Sequence, residues 1–393
     1  MSNMKRKGLL LHLTALIGLV AIGLWDVALS DQGPEKWPEE KTIETVAPGV
    51  EHIFVRRGDF GEAEGSNRWQ IHILTLEPRL VRLELAVAMD EIVGAETTSS
   101  MASRRGALAA VNGGYFRTTG IYRGEPAGLL VLKGTILSEP DAGRSSLAVS
   151  NAEGRIRVAA ARSAFSAELI VGLHASRPIS GFNRPRGQDE LIVFLPEFHR
   201  STLTAPDGLE AIIERGRVTL VKDGTGSAPI PRDGFVLSAS GTARDWAAEN
   251  VREGASVEIK TDLRSDPPFS FEPEFIVGAG PRLVRGGEIV AGEEEIFPEG
   301  FYGQRHPRTA IGVKADLTIV LMTVDGRQPK TSVGMSIPEL AALMTELGCV
   351  EAINLDGGGS TTMVVRDKVV NNPSDPAGER PVSDALVVLP RIR

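Results

Sequence analysis

The chain has 393 residues, a formal net charge of -8, 42% hydrophobic residues and 24% charged ones, an ordinary make-up for a globular protein long enough to bury one large core or two medium ones. The acidic balance argues against a polyanion such as nucleic acid as partner, which calls for clustered Lys and Arg, but a local arginine cluster can still hold a small anion. Cys349 is the only cysteine, so intramolecular disulfides and thiolate metal clusters are excluded.

At the N-terminus Lys5, Arg6 and Lys7 precede an apolar run from Gly8 to Trp25, followed by the small residues Ala28-Leu29-Ser30. Basic, apolar, then small is the order of a secretory signal, and residues 1–30 are read as a cleaved signal or a retained membrane anchor. Export without disulfides suits a bacterial periplasm. Residues 31–48 carry Pro34, Pro38 and Pro48 and read as a tether. From Val50 to Met89 apolar and polar residues alternate, as in Trp69-Gln70-Ile71-His72-Ile73-Leu74, and predict half-buried strands. Further strands are predicted over 107–111, 128–132, 146–149, 155–159, 190–195, 211–213, 217–221, 256–262, 310–313, 317–324, 350–355, 362–365 and 385–389. The pairs Asp223-Gly224 and Asp233-Gly234 read as turns between them.

Helices are expected over 97–108, 241–251 and 336–347. The last has capping-box spacing in Ser336 and Glu339, Pro338 in its first turn, an apolar face of Leu340, Leu343, Met344 and Leu347, and Gly348 as a stop. Flanked by strands, it predicts a strand–helix–strand unit. The fold class is therefore α+β: a strand-rich mixed sheet with a few packed helices. Cys349 lies in an apolar stretch and reads as a buried thiol.

One segment stands out chemically. A buried strand delivers Asp356 to its end, and Gly357, Gly358 and Gly359 follow with Ser360 and Thr361. Successive glycines let a ligand approach the backbone and can expose N–H groups to an anion. No Gly-Lys-Ser/Thr follows, so a nucleotide P-loop is excluded. Asn112, Gly113 and Gly114 repeat the arrangement after the strand 107–111, while Tyr115 and Phe116 suit either the core or the site. Arg144, Arg308 with His306, and Arg380 stand at strand entrances, where guanidinium forks suit a phosphate. Breaking a glycosidic bond usually takes two carboxylates, and the candidates are Asp356, Asp325, Glu379 and Asp384. Glu293-Glu294-Glu295 reads as a solvated loop. The histidines lack zinc-ligand spacing, and no Gly-x-Ser-x-Gly elbow is present.

VNGGYF (111–116), GRSS (143–146), RHPRTAIG (305–312), VDGRQP (324–329), the helix bearing Leu340 and AINLDGGGSTTM (352–363) occur in an order that resembles the phosphodiester glycosidase family. The resemblance implies hydrolysis of the bond between a sugar's anomeric carbon and a phosphodiester, in a domain over 96–393 with a strand-rich insertion at about 180–260. Residues 31–95 are then a linker plus an N-terminal strand region. It implies a phosphorylated glycan or sugar phosphodiester as substrate, with Asp356 stabilising charge on the sugar and one of the other three carboxylates as its partner. Bacterial relatives are often labelled exopolysaccharide biosynthesis proteins. No cofactor is called for, although Asp325, Asp356 and backbone carbonyls are oxygen ligands of a kind that Ca or Mg accepts. Two other readings share the same residues: a non-catalytic periplasmic protein binding an anionic polysaccharide, and a phosphodiesterase cleaving P–O.

Overall fold

Apolar alternation makes strands the dominant element, and four sheets result. The computed structural model describes residues 38–60, 67–141, 143–292 and 295–391. The signal or anchor over 1–30 and the first part of the tether lie outside the described residues.

The first sheet has eight strands in the order 39–47, 50–58, 68–76, 319–324, 308–314, 349–354, 282–285 and 288–289. A five-stranded sheet follows the order 368–369, 363–365, 109–112, 384–390 and 81–87. Leu74, Leu321 and Ile353 of the first, Leu83, Val111 and Leu386 of the second, and Leu147, Val149 and Val277 of a seven-stranded third sheet bury one another in a single core. Helix α1 (Thr98–Arg105) packs on the outer face of the five-stranded sheet through Met101 and Ala102. The segment predicted as an insertion builds its own five-stranded sheet over 181–239, covered by helix α2 (Gly241–Asn250) through Ala243 and Ala247.

Helix α3 (Ile337–Glu346) covers the far face of the eight-stranded sheet with Ile337, Leu340 and Met344 against Ile71, Val320 and Met322. Its start carries the predicted capping box: the Ser336 hydroxyl accepts from Glu339 N, and the Glu339 carboxylate accepts from Ser336 N at 2.8 Å. The strands 319–324 and 349–354 on either side of the helix are both antiparallel to 308–314, which lies between them. They therefore run parallel, and their C-terminal ends, leading to Asp325 and Asp356, share one edge of the sheet. The strand–helix–strand unit is real but its two strands are not neighbours.

Two readings need correction. Residues 39–87 are no separate N-terminal region: the strand 68–76 pairs with 319–324 in the middle of the eight-stranded sheet, and 81–87 pairs with 384–390. Asp223-Gly224 is not a turn but a bulge inside the strand 217–225, where Gly224 takes φ 67° and the register slips against Gly208 and Leu209.

Candidate active site

The chain leaves the eight-stranded sheet after Asn354 and enters the five-stranded sheet at Met363, so the Asp356-Gly-Gly-Gly-Ser-Thr segment is the crossing between two sheets. The end of the strand 109–112 meets it there. Asp356 N donates to Gly113 O at 3.0 Å, and Asn112 Nδ2 donates to Asp356 O at 2.7 Å. The Asn112 oxygen accepts from Thr309 Oγ1 at 2.7 Å and from Thr362 N at 3.1 Å. Asn354 Nδ2 donates to the Tyr115 hydroxyl at 2.7 Å, and that hydroxyl donates to Gly280 O at 2.8 Å. The faint sequence echo between the two Gly-rich segments thus corresponds to two strand ends clasping one another.

This geometry reassigns several predicted binders. Asn112 is fully buried and all its side-chain atoms are spent on the clasp, so it braces Asp356 and does not face a ligand. Gly113 N and Gly114 N donate to Asp384 O and Asp384 Oδ1, at 3.0 and 2.8 Å. Gly357 N caps the Asp356 carboxylate at 2.8 Å and Gly358 N donates to Pro307 O at 2.9 Å. These four amides are occupied and form no anion nest. Ser360 and Thr361 are each 1% exposed and turn into the protein, not toward a phosphate. The Ser360 hydroxyl lies beside the Asp356 carboxyl and helps its charged form, without the geometry of a full hydrogen bond.

What the glycines do instead is let arginines lie on the bend. Gly358 takes φ 62°, and a Cβ there would stand 2.9 Å from Arg327 Nη2; a Cβ on Gly359 would collide with the guanidinium of Arg380. Arg380 is held by Asp375 at 2.8 Å, whereas Arg327 and Arg308 have no carboxylate within 4.0 Å among the described residues. Arg327 Nη2 approaches His306 Nδ1 at 3.4 Å, and His306 Nε2 approaches Gln304 Oε1 at 3.3 Å. Arg380 and Asp375 also line a cavity of about 410 Å³ with Phe116, Thr118 and Arg123, which leaves room for a ligand beside the bend.

Burial lifts the Asp356 carboxyl to about 6, with Asp384 pushing in the same direction, against Ser360, the Gly357 amide and Arg380, which favour its charged form. Asp356 keeps part of its surface exposed even though its carboxyl sits deep in protein. His306 is shifted down by burial and by the positive charges of Arg308 and Arg327, so its imidazole is neutral at neutral pH. Asp384, buried and raised by burial, accepts from Ser383 Oγ at 2.6 Å and from Gly114 N; it acts on Asp356 through its field.

The remaining candidates separate. Asp325 is 1% exposed, raised by burial to about 6, and tied to Asn371 Nδ2 and Asn372 N at 3.0 and 3.1 Å. It supports the crossing from behind, since Asn371 also donates to Thr361 O at 3.1 Å. Glu379 accepts from Ser99 N at 2.8 Å and Ser99 Oγ at 2.5 Å, which spends it on the first turn of α1. Arg308, 2% exposed, donates from Nε to Met335 O at 2.9 Å and from Nη2 to Phe301 O and Gln304 O, both at 3.0 Å. It is a buried cation that adds positive potential and is not an open clamp; burial lowers its guanidinium to about 10. Arg144 stands at the rim, paired with Asp141 at 2.8 Å and lying 4.6 Å over the Phe297 ring. Among the described residues no group of three or more His, Cys, Asp or Glu is placed to hold a metal ion.

The sequence reading missed four participants. Arg327 stood inside VDGRQP, where the Asp-Gly pair drew attention instead. Tyr115, which the sequence left open between core and site and which is not one of the four, is partly exposed at the site while Phe116 is core. Phe297 and Phe301 stack at 4.3 Å to form a wall beside Tyr115 and Arg144. Glu295, read as part of a solvated loop, is 7% exposed and accepts from Ser145 N, Ser145 Oγ and Arg282 N, each at 2.8 Å; residues 293–294 lie outside the described residues. Nothing local in an acidic triplet distinguishes its buried member.

A clasped carboxylate surrounded by arginines on a Gly-rich sheet crossing is the arrangement expected of a site for an anionic substrate. Residues 207–389 match the model of the phosphodiester glycosidase family, in agreement with the resemblance carried by the motifs. The SPbeta prophage-derived uncharacterized protein YomE of Bacillus subtilis is 44% identical over 84 residues, covering 21% of this chain and 13% of that protein. The N-acetylglucosamine-1-phosphodiester alpha-N-acetylglucosaminidase of Mus musculus is 27% identical over 155 residues, covering 36% of this chain and 29% of the enzyme. The chain thus spans less than a third of the length of either relative. A crystal structure of a Burkholderia pseudomallei K96243 protein superposes with a TM-score of 0.79 at 25% identity, covering 91% of this chain and 98% of the other.

Proposed function

We propose that the protein is an exported hydrolase that cleaves the glycosidic bond of a sugar-1-phosphodiester. The observation that carries this reading is the Asp356 carboxylate, held at the open edge of a bend on whose glycines Arg327 and Arg380 lie. A phosphodiester bound by those two guanidinium groups puts the anomeric carbon of its sugar toward Asp356. Phosphate is already a good leaving group, so stabilising its charge as the C–O bond breaks matters more than protonating it. Asp356, ionised above about pH 6, faces the positive charge that develops on the sugar. His306, kept neutral, is the rim group able to accept a proton from water. The basic and apolar residues 5–25 support export, and a phosphorylated exopolysaccharide is the substrate such a location offers.

The test is an assay of the purified protein on methyl-phosphoryl N-acetylglucosamine and related diesters, run in ¹⁸O-labelled water. Label entering the sugar agrees with C–O cleavage; label entering phosphate means a phosphodiesterase. Binding across the panel without turnover leaves a glycan-binding protein and removes the enzyme reading.

A further inference from the structure

A phosphodiester has two ester arms. In the proposed reaction one arm, the sugar, faces Asp356, and the other, an alcohol, departs with the phosphate as a phosphomonoester. Arg380 stands where the two would part. Its guanidinium lies against Gly359 of the bend, where an added Cβ would collide with it, and the same residue lines the cavity of about 410 Å³. That volume is in the range of small-ligand sites. Phe116 and Pro381 contribute apolar surface to the cavity, and Arg123, Asp375 and Arg380 contribute charge.

The charges in this lining do not balance. Asp375 pairs with Arg380 at 2.8 Å, whereas the guanidinium of Arg123 has no carboxylate within 4.0 Å and no hydrogen bond among the described residues. An exposed arginine by itself marks no site. What sets Arg123 apart is how firmly its backbone is held. Gly94 N donates to Arg123 O at 2.8 Å, and Arg123 N donates to Gly120 O at 3.2 Å. On one side of it Tyr122 is buried, its hydroxyl donating to Thr202 O at 3.1 Å and its ring 5.7 Å from that of Phe198. On the other side Gly124 takes φ 100° and packs so closely that a Cβ there would stand 1.8 Å from Gly94 O. The segment after Gly94 then returns to the cavity: Glu96 and Val382 exchange backbone hydrogen bonds at 3.0 and 2.8 Å, two residues from Arg380. A loop fixed at so many points presents its cation in one place, so little ordering is left to oppose binding.

We infer that Arg123 is a specificity-determining residue: the cavity takes the alcohol arm of the diester, and Arg123 selects arms that end in an anionic group, a carboxylate or a second phosphate. This role rests on the hydrolase reading, so its test includes a binding measurement that stands without turnover. Diesters that share one sugar and differ only in the arm (ethyl, carboxyethyl, phosphoethyl and aminoethyl) are compared for kcat/KM on the full-length protein. At least one anionic arm is expected to exceed ethyl by about fivefold or more, mainly through KM, and the better of the two names the group. Aminoethyl is expected to fall below ethyl. Arg123→Gln is expected to bring the anionic arms down to the level of ethyl, with ethyl itself and the Tm unchanged. Arg79→Gln, which removes an exposed charge elsewhere, is expected to change nothing. The assignment is overturned if neither anionic arm is preferred, if the preference survives Arg123→Gln, if Arg123→Gln lowers every arm alike, or if Arg79→Gln has the same effect. Calorimetric binding of the same diesters to the full-length Asp356→Asn protein, with and without Arg123→Gln, separates the two readings. Selective loss of the anionic arms in a protein whose unsubstituted form hydrolyses none of the diesters keeps the subsite and discards the hydrolase. Hydrolysis without preference among the arms keeps the hydrolase and discards the subsite.

Discussion

Asp356 owes its character to position: burial and the nearby Asp384 push its carboxyl up to about 6. On the proposed hydrolase reading it works in its charged form, so kcat/KM is expected to fall about tenfold per unit as pH drops below about 6, measured on a single diester. Asp384→Asn removes a repelling charge, so the acid limb should move to lower pH; an unmoved limb would detach Asp384 from the site. Asp356→Asn is expected to lower kcat by at least about 10³-fold. The same change bears on stability, with a definite sign. A carboxyl whose folded pKa lies above its unfolded value favours the fold when protonated, so its contribution is full below about pH 4 and is lost as pH rises toward 6. The Tm of Asp356→Asn relative to the unsubstituted protein should therefore rise between pH 4 and 6, by roughly 1–3 °C, and stay level above. Gly359 is outside the left-handed region that Gly358 occupies, so alanine there meets no backbone penalty, only the Arg380 guanidinium. Gly359→Ala should then imitate Arg380→Ala, each costing on the order of 10²-fold in kcat/KM, with an unchanged circular dichroism spectrum.

At the level of elements, the segment 295–302 is held in part by the Glu295 carboxylate. Glu295→Ala strips the acceptor from three buried donors and is expected to cost about 2–4 kcal/mol in urea unfolding, while raising KM as the Phe297 wall loosens. A purely solvated Glu295 would show neither effect. Helix α3 is different, because its ends were written locally. Ser336, Pro338 and Glu339 with the spacing of Leu340, Leu343 and Met344 define its start and its buried face, and the structure agrees residue for residue. Ser336→Ala should cost about 1 kcal/mol without affecting catalysis. The strands were legible for the same reason: period-two alternation over 68–76 or a short apolar run such as 349–354 carries its own signal. What each strand pairs with was not, since hydrogen-bond partners lie far away in sequence.

Across the whole molecule, that distance has a consequence. The stretch matching the family, 207–389, holds the strands 308–314, 319–324 and 349–354, but their sheet continues through 68–76, and the strand 363–365 needs 109–112 beside it. A fragment of residues 207–391 would bare strand edges and the common core of three sheets. It is expected to be unfolded or aggregated by circular dichroism and size-exclusion chromatography, whereas residues 37–393 should unfold cooperatively. A soluble, cooperatively folding 207–391 would show the N-terminal strands to be dispensable.

By itself the sequence determined the class of fold and the three helices, and it singled out the Asp-Gly-Gly-Gly-Ser-Thr segment as the candidate site, because alternation, capping and glycine runs act over a few residues. Only the tertiary structure decided what each residue near that centre does. Asn112, Gly113 and Gly114 are types suited to a ligand, yet they are consumed by the clasp between two sheets, and Ser360 and Thr361 are buried beneath it. Glu379 is consumed by the first turn of α1 and Arg308 by three carbonyls. Arg327, which sequence reading passed over, lies on the bend. A side chain's type says which bonds it can make; which of them are already taken is set by neighbours hundreds of residues away, and that separates a brace from a binding group.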